Sequence, residues 1–423
     1  MRQDHEIPPA GPGPTPPEDP QTQGPSLEVR IARAGADLRD TLGAVVEAVP
    51  NLPAGPQALA RRVGIDKVLA SRLLKAVRSP DPMSTIHRIP GPEPLRRALR
   101  AMSRQGVPPA LVHSATAAVD RFDDLVRAEL GDRSSLDALI SAWAPEARRE
   151  FELRRKQAAF RAMSQLRGVE ASTLMATVFL HPSPDGEHVD IVWLNGLYAL
   201  HRIRPGVPVK FATRRMSAEA GARRPTTLDG QPVDDAGSAL LESFCSSPAP
   251  TLRVQRIGEV VHYALADEGF GPRSAVDIVF TEVNRGEVRR FNPPGVHRKG
   301  YVFAEVSTPA KALQFDAFLH EDVYPRSRPT LRLYDTSFEG VADVNNEARD
   351  ADLFDTLETI EPLGAGLASR RSADAPRYDE LLALVAERMN WDPRAFRGQR
   401  CRIDYPIYGS QVAMVFDRPQ RPA

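Results

Sequence analysis

The stretch PQALARRVGIDKVLASRLLK, residues 56–75, decides how the N-terminal part of this chain is interpreted. Apolar residues recur at helical spacing on both sides of Gly64, which predicts one helix over 56–63 and a second over 66–77. Glycine often ends a helix because it adopts positive φ at little cost, and Gly64 stands where the first helix must end. Asp66 stands at the N-cap of the second helix, where its carboxylate can accept backbone N–H groups. The stretch therefore predicts two short helices joined by a tight turn.

The two faces of this helix pair differ in chemistry. The predicted inner face consists of small and apolar side chains: Leu59, Ala60, Val63, Ile65, Ala70 and Leu73. The outward face of the second helix is basic and polar, and such a helix fits the major groove of DNA. Side chains near its N-terminus reach base edges there, while long basic residues contact phosphate. We expect base-edge contacts from Lys67, Val68, Ser71 and Arg72, and mainly phosphate contacts from Arg61, Arg62, Lys75 and Arg78.

The charge distribution favours the same hypothesis. The 423 residues include 55 basic and 55 acidic ones, so the whole chain is neutral. Residues 58–104 nevertheless hold eleven Lys and Arg against three acidic residues, a net charge of +8 that the remaining chain balances. A localised basic block of this kind is typical of proteins that bind a polyanion.

Over residues 35–90 the sequence resembles the DNA-binding domain of winged helix-turn-helix transcription regulators of the IclR and MarR types. The text ALARRVGIDKVLASRLLKAV, residues 58–77, with an amphipathic helix before it, carries the resemblance. The resemblance implies DNA binding, and it implies that a two-stranded wing follows the second helix. The sequence departs from the family there, because it offers one short candidate strand, Ser84–Ile89, before Pro90. We therefore expect a stunted or absent wing, and the C-terminal part matches no effector domain of these families.

Taken as a whole, the sequence predicts a multidomain protein with an all-α N-terminal half and a mixed α+β C-terminal domain. The Pro-rich residues 1–26 contain few apolar side chains, which predicts a disordered tail. Residues 27–90 form the expected helix-turn-helix domain. Residues 91–168 form a helical linker or dimerisation region, with helices at 92–103, 108–130, 133–143 and 145–167. Residues 169–423 form an α+β domain of unassigned role, long enough for two subdomains.

Short runs rich in Val, Ile, Phe and Trp follow Gly168 and predict strands. The Pro-Ser-Pro-Asp-Gly segment 182–186 and Asn195-Gly196 predict hairpin turns between the first of them. A helix is expected over 236–244 and another over 376–390, the latter with Asp374 as its N-cap. The predicted strands are 172–180, 188–194, 197–203, 207–212, 251–265, 274–283, 300–306, 329–335, 399–407 and 411–417.

Other chemistry-bearing residues favour ordinary structural roles. His181, His188 and His201 lie among carboxylates, yet their spacing matches no metal motif, so exposed histidines beside turn carboxylates are the simpler interpretation. Cys245 and Cys401 lack a local partner and are expected to be small buried side chains. The sequence thus predicts no catalytic residues, no metal site and no cofactor.

The leading hypothesis is a cytoplasmic, homodimeric regulator that binds double-stranded DNA. Two cysteines and the lack of a secretory signal or an apolar membrane segment favour the cytoplasm. The α+β domain would then bind a small-molecule ligand or a partner. One alternative places an enzyme or scaffold function in the C-terminal domain, with the helical half as a protein-interaction adaptor. Another is a protein-assembly module that uses the helix-turn-helix only for packing. The exposure of the second helix's basic face distinguishes these hypotheses.

Overall fold

The structure is a computed structural model, and it describes residues 26–50, 55–141, 145–215, 225–233, 239–257, 260–266, 268–325 and 327–421. The chain divides into two compact units, 1–151 and 152–423. Of the predicted tail, all but Ser26 lies outside the described residues.

The first unit is helical. Its elements are α1 (Leu27–Glu47), α2 (Pro56–Val63), α3 (Lys67–Val77), α4 (Pro82–Arg88), α5 (Pro92–Ser103), α6 (Pro109–Glu129), α7 (Arg133–Ser141) and the first residues of α8 (Pro145–Arg167). Their apolar faces share one core, built around buried residues such as Leu38, Leu59, Leu73, Leu99 and Phe122. The predicted helices over 92–103, 108–130 and 145–167 are therefore confirmed to within a residue, as are those over 56–63 and 66–77.

Local signals account for where these helices begin. Ser26 accepts a hydrogen bond from the Val29 N–H at the start of α1. Helices α2, α4 and α5 each have a proline in the first turn, where its missing N–H has no helical acceptor to lose. Helices α1 and α4 approach so closely at Gly35 that a Cβ there would overlap the carbonyl oxygen of Pro82.

The predicted strand Ser84–Ile89 is wrong, since these residues belong mainly to α4. Asp81 caps that helix by accepting the Ser84 N–H at 2.8 Å, and Pro82 occupies its first turn. This start signal outweighs the strand preference of Thr85 and Ile86, whose side chains are buried. A helix thus stands where the family resemblance implied a wing.

The second unit contains twelve strands in its described residues, with helix α9 (Tyr378–Met389). The strands are β1 (Val169–Pro182), β2 (His188–Arg202), β3 (Val209–Arg215), β4 (Leu252–Ile257), β5 (Val260–Leu265), β6 (Val276–Arg289), β7 (Lys299–Glu305), β8 (Ala310–His320), β9 (Thr330–Asp335), β10 (Glu361–Ala365), β11 (Phe396–Asp404) and β12 (Ser410–Asp417). They form a six-stranded sheet, β10-β11-β8-β1-β2-β6, and two three-stranded sheets, β7-β12-β9 and β3-β5-β4. Strands β1 and β8 are parallel, whereas every other strand pair is antiparallel.

The six-stranded sheet is covered on both faces. Leu180 and Phe315 on one face belong to the same core as Met414 and Phe416 of β12. Phe179 and Phe318 on the other face pack with Leu381 and Leu382 of α9. The central strands are therefore buried on both sides, which explains their long apolar runs.

Three further predictions need correction. Asn195-Gly196 is not a turn, because β2 runs through it and Gly196 pairs with Met175 on one side and Val279 on the other. Helix α9 starts at Tyr378 with Arg377 as its N-cap, so Asp374 does not cap it. In the region of the helix predicted over 236–244, the described residues hold only a short 3-10 turn, Glu242–Phe244; residues 234–238 lie outside the described part.

The expected fold class is confirmed at the coarse level: a helical N-terminal half precedes a strand-rich α+β region. None of the helices in the described part of the chain combines the length and apolar composition needed to span a bilayer.

Candidate nucleic-acid interface

Helices α2 and α3 are joined by a turn whose geometry follows from its sequence. Gly64 has φ of +77°, and its N–H donates to the Ala60 carbonyl at 2.9 Å. One Asp66 carboxylate oxygen accepts the N–H groups of Val68 at 2.7 Å and Leu69 at 3.2 Å. The turn therefore ends α2 and starts α3 within three residues, as the sequence predicted.

The inner and outer faces of this pair separate cleanly. Five of the six predicted inner residues, Leu59, Ala60, Val63, Ala70 and Leu73, are buried, and Ile65 is half-buried. The eight predicted DNA contacts lie outward, and seven of them are exposed, with Val68 exposed to 65%. Ser71 is half-buried. An apolar side chain this exposed beside a row of cations is available for contact with another molecule. The eight residues are Arg61, Arg62, Lys67, Val68, Ser71, Arg72, Lys75 and Arg78.

The cations of this face lack the ion pairs found elsewhere in the first unit. Within the described residues, five of the six predicted Lys and Arg contacts form no ion pair or side-chain hydrogen bond. Arg72 donates from Nη2 to the Ile89 carbonyl oxygen at 3.3 Å and has no acidic partner in the described chain. The five are Arg61, Arg62, Lys67, Lys75 and Arg78.

Arginines on the other helices of this unit are mostly paired. Arg30 binds Glu129 at 2.8 Å and Arg127 binds Asp123 at 3.0 Å. Arg133 binds Asp137 at 2.9 Å, whereas the exposed Arg33 has no partner in the described residues. Most of the unpaired cations in the described part of this unit therefore lie on α2, α3 and α5.

A groove of about 570 Å³ adjoins this face. The N-terminal half of α3 forms one wall with Val68 and Arg72. Helix α5 forms the other wall with three exposed arginines, Arg97, Arg100 and Arg104. These three arginines are not among the residues predicted from the sequence to contact DNA, although their spacing of three and four residues is a signal for a shared helix face.

The three histidines considered as metal ligands in the sequence each have a different neighbour. His181 stacks on Trp391 with ring centroids 4.6 Å apart, and burial lowers its pKa. His188 contacts Asp185 at 2.7 Å, while His201 lies 3.7 Å from Glu170. In the residues that the structure describes, no group of three potential ligands could hold a metal ion.

The two cysteines are free thiols. Cys401 is buried in the sheet, and burial raises its pKa to about 12. Cys245 is half-buried, and burial raises its pKa as well. Neither thiol is poised to ionise near neutral pH, so neither has the chemistry of an activated nucleophile.

Charged side chains do converge at one end of the six-stranded sheet. A cavity of about 490 Å³ there is lined by Asp277, Lys311, Asp374, Arg402 and Asp404, among others. Arg402 binds Asp374 at 2.6 Å and Asp404 at 2.8 Å. The cavity therefore combines both signs of charge, which suits a small polar ligand.

Comparison with known proteins adds little. No family model and no curated protein matches this chain. One solved structure, of "a putative protease" from Parabacteroides distasonis, is similar over 60% of this chain with 7% identity and a TM-score of 0.24. This chain covers 41% of that protein. A likeness this weak carries no argument about fold or activity.

Proposed function

We propose that the first unit binds double-stranded DNA, with α3 in the major groove, and that the protein is a transcriptional regulator. The observation that carries the proposal is the outward face of α3, which is uncovered and whose cations lack acidic partners in the described chain. In this proposal the helical residues 92–167 join two copies, so that two α3 helices address neighbouring half-sites. The C-terminal unit would sense a ligand or partner.

The two kinds of side chain on α3 suit two kinds of DNA contact. Lys67, Ser71 and Arg72 can hydrogen-bond to base edges, and the exposed Val68 can pack on a thymine methyl group. Lys75 and Arg78 at the C-terminal end, with Arg61 and Arg62 on α2, are placed for phosphate.

The arrangement also bears on the packing-only hypothesis. A helix pair that serves only to build its own unit needs the inner face alone, and that face is already buried. The outward face contributes nothing to that core, because Val68 and the neighbouring cations remain exposed. Packing within the unit therefore does not involve the outward face, and the cations on that face favour a polyanion such as DNA as its partner.

The test measures binding of the full chain to a mixed-sequence duplex by fluorescence anisotropy between about 50 and 200 mM salt. We expect affinity to fall steeply with salt. Replacing Arg72 and Lys75 together by alanine should weaken binding about tenfold and lower the log–log salt slope by about 1 to 2. Arg33→Ala, which removes an exposed α1 charge that has no partner in the described residues, is the control and should bind like the natural protein. Salt-independent binding, or unchanged affinity of the double variant, would contradict the proposal.

A second candidate function, binding of a small polar ligand, is favoured by the mixed-charge cavity of the second unit. Lys311 suits a carboxylate, and Asp277 suits an ammonium group. We expect glutamate at millimolar concentration to raise the melting temperature of the full chain, and Lys311→Met to abolish that rise. No shift with glutamate, succinate or putrescine would count against this candidate.

A further inference from the structure

We infer that α5 supplies the second half of the DNA interface, and that the groove between α3 and α5 receives one sugar–phosphate strand. This inference rests on the proposed function and extends it to residues that the α3 hypothesis does not include. Arg97, Arg100 and Arg104 would contact successive phosphates of that strand.

The geometry of α5 places these arginines in a row. Arg97 and Arg100 lie three residues apart on one face of α5, and Arg104 follows four residues later at the C-cap, where the backbone is still helical. All three are exposed and line the same groove, opposite Val68 and Arg72. The groove thus begins where α3 would read bases and continues along a cationic helix.

The arginines of α5 differ in whether an acidic side chain compensates their charge. Arg96 binds Asp120 at 2.7 Å and Asp123 at 2.9 Å, so its charge is compensated within the helical core. Arg97 and Arg104 form no ion pair with any residue that the structure describes. Arg100 pairs with Glu93 at 3.1 Å, but both side chains are more than 60% exposed, and such a pair contributes little.

The groove offers little opposing charge. Its lining includes four arginines and one carboxylate, that of Asp66. Two backbone N–H groups at the start of α3 already occupy one oxygen of that carboxylate. The groove therefore attracts a polyanion, and an arginine row suits the regular spacing of phosphates.

A DNA strand fits this groove better than an acidic protein segment because of what lies beside it. The groove borders the face of α3 that would enter the major groove, and a duplex presents a phosphate strand along each edge of that groove. Helix α4, which replaces the expected wing, precedes α5 directly in the chain and packs beside α3. In this protein α5, rather than a wing, would contact the DNA backbone beside α3.

The experiment compares Arg97→Gln/Arg104→Gln with the natural full chain on the same mixed-sequence duplex. We expect a fivefold to tenfold loss of affinity at about 100 mM salt and a fall of about 2 in the log–log salt slope. Arg97→Lys/Arg104→Lys, which keeps the charge, should retain most of the affinity and the full slope. Arg33→Gln is the matched control, and circular dichroism confirms that each variant is folded.

The outcomes separate the inference from the function on which it rests. If the α5 glutamine variant binds like the natural protein while the α3 variant is weakened, α5 is not part of the interface and the proposed function stands. If Arg33→Gln weakens binding as much per charge removed as the α5 change, the effect is one of overall charge and the inference fails. If the natural protein binds no DNA at low salt, or binds polyglutamate more tightly than the duplex, both fail.

Discussion

Two sites of this chain, one in each unit, use arginine in opposite ways. On the outward face of α2 and α3, and on the side of α5 that lines the groove, arginines are exposed and several have no acidic partner in the described residues. In the second unit, Arg400 donates from Nε and Nη2 to both oxygens of Asp316, at 2.8 and 2.6 Å. Asp316 is fully buried. The contrast shows that a high arginine content says little by itself, because function depends on which guanidinium groups are left without a partner.

The Asp316 site is a closed polar network inside the sheet. Tyr378 of α9 donates its hydroxyl hydrogen to Asp316 at 2.5 Å, and Gln314 donates an amide hydrogen at 3.0 Å. Burial and the neighbouring carboxylate raise the pKa of Tyr378 well above its ordinary value, so the phenol stays protonated as a donor. The hydrogen-bonding groups of these side chains satisfy one another, and a network of this kind holds α9 against the sheet.

The largest effect is expected at the fully buried carboxylate of Asp316. Asp316→Asn removes its negative charge and leaves the mostly buried Arg400 cation without its acidic partner. We expect the free energy of unfolding of the second unit to fall by about 3 to 5 kcal/mol. Urea denaturation followed by circular dichroism measures the change.

A companion variant sharpens this test. Replacing the pair together, Asp316→Leu with Arg400→Met, removes both charges and should recover part of the lost stability. If the single and double variants are equally unstable, packing rather than charge compensation explains the role of Asp316. If Asp316→Asn is as stable as the natural protein, the contrast between the two sites is wrong.

A smaller effect is expected within α5, where neighbouring residues should behave oppositely. Arg96→Gln removes one partner of the largely buried Asp123 and should lower the unfolding free energy of the first unit by about 1 to 2 kcal/mol. It should leave the salt slope of DNA binding unchanged. Arg97→Gln should lower that slope by about 1 and leave stability unchanged.

Denaturation and salt titration of these two single variants are sufficient to measure both effects. If Arg96→Gln and Arg97→Gln change stability and salt slope alike, the direction in which an α5 arginine points does not decide whether it stabilises the fold or binds DNA.

Much of the first unit could be predicted from local signals. Proline at a first turn, Asp66 at an N-cap and Gly64 after α2 each act within a few residues, so sequence spacing captures them. The arginine row of α5 was missed because it becomes part of an interface only when α5 lies opposite α3. That juxtaposition depends on tertiary packing, which periodicity does not encode.

The second unit was harder to predict because its pairing is not local. Strand β8 was missed, since its sequence AKALQFDAFLH contains Ala, Leu and Gln, which also favour helices. It is a strand because it lies between β1 and β11, with partners far away in sequence. The turn predicted at Asn195-Gly196 was wrong for the same reason. This dipeptide is typical of hairpin turns, but here it lies within β2 and pairs with a strand on each side.

The close approach of Gly35 to Pro82 has a consequence for how variants of this protein should be interpreted. Any side chain at position 35 would push α4 away from α1, and α4 lies against α3. A substitution there would shift α4 against α3, the helix proposed to enter the major groove, without altering any residue on the outward face of α3. A variant at this remote glycine could therefore be impaired in recognition while every candidate contact residue remained intact.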